Sequence, residues 1–351
     1  EVVEKFGDLK KPEAAIGTGP FILERYEPNV KSSFIRNPEY YREGQPYVDR
    51  VEWLIINDES TGLAMYRTGQ LDCGPGTSWA VRQQDLESLK RSHPHLMFRD
   101  FQSQSASAIT MRTDQPPFND VRVRRAISHA IDRQALIEAV WGRGEPTPAV
   151  SRGLVEWSLP IEQLGEGAKY YRHDPKEAKR LLAEAGYPKG FKTRLTVSSG
   201  FGRDLIDDVQ LIQRFLKEVG IEADLKIQEH GAYVATTVQG KYEGLVRGPI
   251  GIAYEPDRRL YRAYASDSTL NTGHVNDPTV TAMVKEQRRT KDLEARRKII
   301  YDIQRYAAQQ QYYVYLNTNT VTGTWQPYVK NFAPNQGFDY GNRAAALWLD
   351  R

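Results

Sequence analysis

One cysteine, Cys73, stands in a chain of 351 residues, so no internal disulfide and no thiolate metal cluster can form. Long apolar runs are missing too, and nothing approaches the ~20 residues that a membrane-spanning helix needs. A dominant charge sign is absent. Lys and Arg number 48 against 45 Asp and Glu, a net +3 that is too balanced for a grip on nucleic-acid phosphates. The only close histidine pair, His93-Pro94-His95, is split by a proline and reads as a surface loop rather than a metal site. A phosphate-cradling loop would need glycine where Ala235 precedes Gly240-Lys241, and neither a zinc-protease His-Glu-x-x-His nor a Gly-x-Ser-x-Gly elbow occurs. No cofactor and no metal is expected.

What is present is a composition with 40% hydrophobic and 26% charged residues, ordinary for a folded chain, at a length that exceeds what one core usually organises. Two lobes are the expectation. Residues 18–56 alternate extended segments (Phe21-Ile22-Leu23, Ser33-Phe34-Ile35, Val51–Ile56) with turn-rich stretches. Apolar residues from Val123 to Trp141 recur at helical spacing behind Asn119 or Asp120, predicting one long amphipathic helix over 120–141. Asp174-Pro175-Lys176-Glu177 supplies an N-cap, a proline at the first helical position and a glutamate placed to return a capping bond; Asp277-Pro278 repeats the device. Between them a β-α-β-α-β run over residues 194–247 predicts a small, mostly parallel sheet. Strand character returns at Tyr312–Leu316 and Thr320–Trp325. The chain therefore leaves a first lobe (1–107), builds an α/β second lobe (108–315) and returns to the first (316–351).

Gly200-Phe201-Gly202 sits between a strand and a helix, where backbone N–H groups attract anions. A dinucleotide fingerprint would want glycine at Leu205 and an acidic residue earlier than Glu229, so a plain β-α turn is the simpler reading. An enzyme, a hydrolase or transferase using residues 200–203 as an anion site with Glu229 or Glu255 as base, is the competing class, although no nucleophile-base pair is visible. The basic stretch from Lys285 to Lys298 is interleaved by Glu286, Asp292 and Glu294 and reads as a solvated helix face.

Several segments together resemble the family 5 extracellular solute-binding proteins, the peptide, nickel and related receptors of ABC importers. Gly17-Thr18-Gly19-Pro20-Phe21 leads to Asn37-Pro38-Glu39-Tyr40-Tyr41; Asp49-Arg50-Val51-Glu52 precedes Gly69-Gln70-Leu71-Asp72. Pro116-Pro117-Phe118-Asn119-Asp120-Val121-Arg122-Val123-Arg124, running on to Ala130-Ile131-Asp132-Arg133, is the most specific match, and Asp174-Pro175 with Leu181–Gly186 adds a fourth. In the family a long stretch precedes the Gly17 element, where this chain has 16 residues, so the resemblance is to the C-terminal portion of a receptor and the first lobe is expected to be incomplete.

The resemblance implies an α/β, bilobal periplasmic-binding-protein-like fold of type II that makes and breaks no bond. Such a receptor traps a peptide-like, sugar-like or other small polar solute between lobes and hands it to the transmembrane subunits of an ABC permease. A monomer without nucleic-acid partners is expected, in the periplasm or outside the cell, with any lipid anchor lying in a region absent from this chain. The hinge would fall near Ala106–Ala108 and Leu316–Asn319. Ligand contacts would lie on strand-end loops: Trp79 and Tyr254 to stack, Arg203 or Arg247 to neutralise a carboxylate, with Ser199, Phe201, Glu255, Asn271 and His274 around them. Ile252 stands four residues before Pro256 and Ser199 holds the slot of the carboxylate-binding arginine. The resemblance thus implies that a zwitterionic dipeptide held at both ends is not the ligand.

Overall fold

The computed structural model describes residues 2–7, 12–56, 58–74, 80–81, 83–332 and 344–351, which divide into two compact units, Glu1–Phe101 with Val321–Arg351 and Gln102–Thr320. In chain order the first unit holds α1 (Val2–Phe6), β1 (Phe21–Glu27), β2 (Lys31–Arg36), β3 (Arg50–Leu54), α2 (Glu59–Arg67), β4 (Ala80–Val81), α3 (Gln83–Ser92) and most of β5 (Met97–Gln102). The second unit opens with β6 (Ser105–Met111), α4 (Val121–Ala130), α5 (Arg133–Leu136), β7 (Gly144–Pro146), α6 (Pro175–Glu184) and β8 (Phe191–Ser198). It continues through α7 (Arg203–Glu218), β9 (Ile221–Gln228), α8 (His230–Ala232), β10 (Leu245–Ile252), α9 (Pro256–Tyr264), α10 (Pro278–Arg289), α11 (Leu293–Gln310) and β11 (Tyr313–Tyr315). Strand β12 (Asn317–Trp325) carries the chain back, and β13 (Val329–Lys330) pairs with β14 (Trp348–Leu349).

The second unit is a three-layer α/β/α arrangement whose sheet runs β11-β6-β10-β8-β9. Period-2 alternation makes the layers. On β6, Ile109 and Met111 join Leu195, Val197 and Leu245 under α4, α6 and α7, while Ala106 and Ala108 turn to the other face with Tyr313, Tyr315 and the helices α9, α10 and α11. Strands β8 and β9 stay in register for eight pairs, from Phe191↔Ile221 to Ser198↔Gln228. Their starts meet back to back at Gly190 and Gly220, both at positive φ (75° and 91°), and a β-carbon on Gly190 would overlap the Gly220 carbonyl.

Three expectations need correction. The predicted helix 120–141 is broken: Ile131 is extended, Asp132 caps a new start by accepting from Ala135 N–H, and Ile137–Trp141 winds as a π-turn. Periodicity missed the break because Ile127, Ala130 and Ile131 on one side and Leu136 on the other enter one core. The sheet is mixed rather than mostly parallel: β10-β8 and β8-β9 are parallel, but β6 pairs antiparallel with both β10 and β11. Glu177 returns no capping bond; its carboxylate binds Arg180, and the Asp174 N–H donates to the His129 carbonyl.

The signature 116–133 is spent on architecture. Asp120 caps α4 and pairs with Arg122 at 2.6 Å, and Arg124 ties the carbonyls of Phe118, Asn119 and Gln310. Arg133 is buried, donating to Ser128 and to the carbonyls of Ser128, Tyr171 and Tyr315, and burial lowers its pKa to about 10. In the first unit, β1-β2-β3 form an antiparallel sheet, while β4-β12-β5 and the helices α2 and α3 enclose Leu63, Tyr66, Val81, Leu89 and Leu96. The Tyr66 hydroxyl meets Thr324 Oγ1 at 2.8 Å.

Ile127 is fully buried in the core under α4. Ile127→Asp places an unpaired carboxylate there and is expected to abolish the cooperative unfolding transition of the second unit. Soluble Ile127→Asp protein with a sigmoidal urea curve would contradict this placement of the helix face.

Candidate functional site

At the C-terminal end of β8 the chain makes one tight turn before α7. Ser198 Oγ accepts from the Gly200 N–H (3.1 Å) and meets His230 Nδ1 (2.9 Å), while the Phe201 ring stands edge-on to His230 and Tyr233. Gly202, at φ 84°, precedes α7 and offers its first turn no side-chain cap. Asp58, Asp120, Asp132, Asp174, Glu255, Asp277 and Asp292 cap α2, α4, α5, α6, α9, α10 and α11 respectively. The longest capped helix in that series, α11, has an aspartate cap, whereas α7, of 16 residues, starts at Gly202 without a side-chain cap. A shallow depression of about 450 Å³ opens here, lined by Ser199, Gly202, Arg203, Ile206, Asp207, Gln210 and Ile227.

Two of the expected contacts, Ser199 and Arg203, line this depression. Arg203 is largely exposed, with its Nε 3.8 Å from Asp207, a pairing that solvent makes weak. Ile206, Asp207, Gln210 and Ile227 were missed. Their signal was available: Arg203, Ile206, Asp207 and Gln210 recur at three- and four-residue steps opposite the core face Leu205, Val209, Ile212 and Leu216. Phe201 lies behind the turn, against the cluster of Tyr233, Tyr242 and Val246.

Arg247 is placed in the core, not on a surface. Its Nε and Nη2 both donate at 2.7 Å to Asp208 of α7, Nη2 also reaches Ser107 on β6, and neither charged side chain has any exposed area. Trp141 Nε1 donates to the same carboxylate at 2.9 Å. The guanidinium is committed to holding α7 on the sheet. Only the intervening fold brings Asp208 and Arg247 together.

The remaining expected contacts divide. Tyr254 is 43% exposed, just beyond β10. Glu255 caps α9 through the Asp257 N–H and pairs with Arg296. Asn271 closes its own loop on the Ala265 and Val275 carbonyls and the Val275 N–H, and His274, in a left-handed conformation, meets the Gly240 carbonyl at 2.9 Å. Trp79 lies outside the described residues. Both carboxylates named for an enzymatic base are occupied: Glu229 accepts from the Gly231 and Ala232 N–H groups, which hold its pKa below the usual range, and Glu255 is the α9 cap.

Strand-end turns on an α/β sheet are where such a fold carries its ligand contacts. The chain belongs to the bacterial extracellular solute-binding proteins of family 5, whose middle-region model matches residues 1–271. It is 25% identical over 308 residues to a probable di/tripeptide-binding protein 5 of Pseudomonas aeruginosa, covering 85% of this chain and 55% of that protein. To the periplasmic oligopeptide-binding protein OppA of Haemophilus influenzae it is 25% identical, covering 97% of this chain and 63% of the relative. Its structure superposes on the binding protein AgaA of A. tumefaciens R10, solved with agropinic acid, at a TM-score of 0.83 and 25% identity, covering 99% of this chain and 70% of that one. The chain thus spans less than two thirds of the curated relatives it matches. The family consists of solute-binding proteins, not enzymes.

Removing one partner of the Asp208–Arg247 pair leaves a bare charge in the core. Asp208→Asn is expected to cost about 3–5 kcal/mol in urea unfolding, and Asp208→Leu combined with Arg247→Met to recover most of it. A single variant within about 1 kcal/mol of the parent would mean that the pair is not what holds α7.

Proposed function

We propose that the protein is an extracytoplasmic solute receptor of an ABC importer, which captures a peptide-like or other small polar solute and delivers it to the permease subunits without chemical change. The observation that carries the reading is the family match over residues 1–271, on a fold whose β8–α7 turn, without a side-chain cap, borders a depression. The named relatives supply the solute class: di- or tripeptides for one, oligopeptides for another, agropinic acid for the third. Each of these solutes carries a carboxylate. The receptor acts as a monomer in this reading, and ligand binding biases its conformational equilibrium through differential affinity alone.

Ile252 stands where dipeptide-binding relatives are expected to hold the ammonium with an aspartate, and Ser199 takes the slot of the carboxylate-binding arginine, so a dipeptide gripped at both charged ends is not the expected solute. Longer or amine-blocked peptides, or polar solutes of the opine kind, fit better.

Ligand-induced stabilisation without turnover tests the proposal. At a hundred times its Kd, a cognate solute is expected to add about 2.7 kcal/mol, a rise of several degrees in Tm, and to be recovered unaltered. N-acetylation of a bound peptide is expected to leave its affinity unchanged. Conversion of the solute during incubation would sink the receptor reading, and loss of binding on acetylation would sink the assignment of its class.

A further inference from the structure

Several arginines of the second unit pair with a carboxylate, and others, Arg172, Arg214 and Arg289 among them, stand exposed to water; a partly buried arginine without a counter-charge is a different matter. Around α9, α10 and α11, Arg288 binds Asp257, Arg296 binds Glu255, Arg297 binds Glu294 and Arg305 binds Asp302. Arg258 and Arg262, one turn apart on α9, have no carboxylate, carbonyl or hydroxyl partner among the described residues. Arg258 is exposed; Arg262 is partly buried. Like charges at this spacing repel, and a guanidinium removed from water without a counter-charge costs more than an exposed one. Burial accordingly lowers the pKa of Arg262, and the neighbouring charge of Arg258 pushes the same way. Its place in the last turn of α9 gives it some favourable interaction with the helix dipole, but that would serve an exposed side chain equally well.

Two further neighbours are phenols, Tyr313 and Tyr233, and the buried Arg259 adds a third like charge. The Tyr313 hydroxyl is occupied by the Gly273 N–H and the Ala263 carbonyl. The Tyr233 hydroxyl has no partner among the described residues, although the side chain is almost wholly buried. It points at Gly248 of β10, where a β-carbon would come within 2.6 Å of it. A glycine at that position keeps the space beside the hydroxyl open. Arg262, with Arg258 one turn before it on α9, thus neighbours an O–H donor that lies behind the turn whose Phe201 packs on the same Tyr233 ring.

We propose that Arg262, Arg258 and the Tyr233 hydroxyl form an oxyanion site that receives a carboxylate of the solute. The inference rests on the receptor reading and names the chemical group this site selects. The carboxylate supplies the counter-charge that the fold withholds: it accepts from the planar guanidinium of Arg262, takes a further hydrogen bond from Tyr233 and neutralises Arg258 at the rim.

Two measurements on the protein and its Arg262→Gln and Tyr233→Phe variants test this. The first is calorimetry with the tetrapeptide Ser-Thr-Ser-Ala, glutathione and deoxycholate, each beside its neutral carboxamide. For a solute that binds, amidation is expected to weaken wild-type affinity about 10- to 100-fold, to make little difference in Arg262→Gln, and to make a difference reduced about 3- to 10-fold in Tyr233→Phe. The second is thermal denaturation in inorganic phosphate against chloride at equal ionic strength, where phosphate should raise the Tm of wild type more than that of Arg262→Gln. Because Arg262 bonds to no described group, Arg262→Gln should unfold in chloride at or above the wild-type Tm; a fall of several degrees would assign it a structural role and overturn the site. An acid-to-amide ratio unchanged by Arg262→Gln, or an equal phosphate response, would overturn it as well. A phosphate response confined to wild type, with no solute bound at all, would uphold the oxyanion site and count against the receptor reading.

Discussion

The second unit depends on one buried ion pair. Asp208 and Arg247 are both fully enclosed, and their paired 2.7 Å hydrogen bonds fasten the longest stretch of apolar helix face to the centre of the sheet. Two charges withdrawn from water contribute little net stability, since the cost of desolvation offsets most of their attraction. What the pair provides is position. An aliphatic helix face can slide by a fraction of a turn with small loss, whereas a bidentate guanidinium–carboxylate contact has one geometry, with Ser107 and Trp141 completing it on either side. The turn before α7, and the depression beside it, inherit that position.

Much of this architecture was legible. The Asp-Pro pairs at 174–175 and 277–278 opened helices because a short carboxylate cap and a fixed proline φ act within a few residues. The strands of the 194–247 run appeared in order because alternation and glycine stops are local signals too. The break at Ile131 was harder, since both halves feed one core and the apolar rhythm passes through it without interruption. Strand direction was harder still: β6 joins the sheet from before the βα units, and its antiparallel pairing with β10 is a matter of topology that no window of residues encodes.

The binding residues divide along the same line. The turn 199–203 was recognisable as a strand-to-helix junction, whereas Arg247 looked like a free cation because its partner is 39 residues distant. Glu255, Asn271 and His274 were chosen as loop polar residues, and polar side chains in loops most often serve backbone groups: Glu255 and Asn271 bond the chain next to them, and His274 reaches the Gly240 carbonyl of another loop. Arg258 and Arg262 drew no notice for the opposite reason. A sequence shows where charges are, and only the fold shows which of them were left without a counterpart.

The two glycines that meet at the start of β8 and β9 bear on how such a receptor diversifies. Gly190 admits no side chain and Gly220, at φ 91°, disfavours one, so the starts of the two strands are pinned to each other, and eight register pairs carry that placement to their far ends. Heritable change is thereby channelled. Substitution at the near end meets backbone, while at the far end Ser199, Arg203 and Ile227 line an open depression where a change of side chain meets solvent. The geometry alone would let such a receptor exchange its cargo chemistry without disturbing the scaffold, because constraint and tolerance sit at opposite ends of the same two strands.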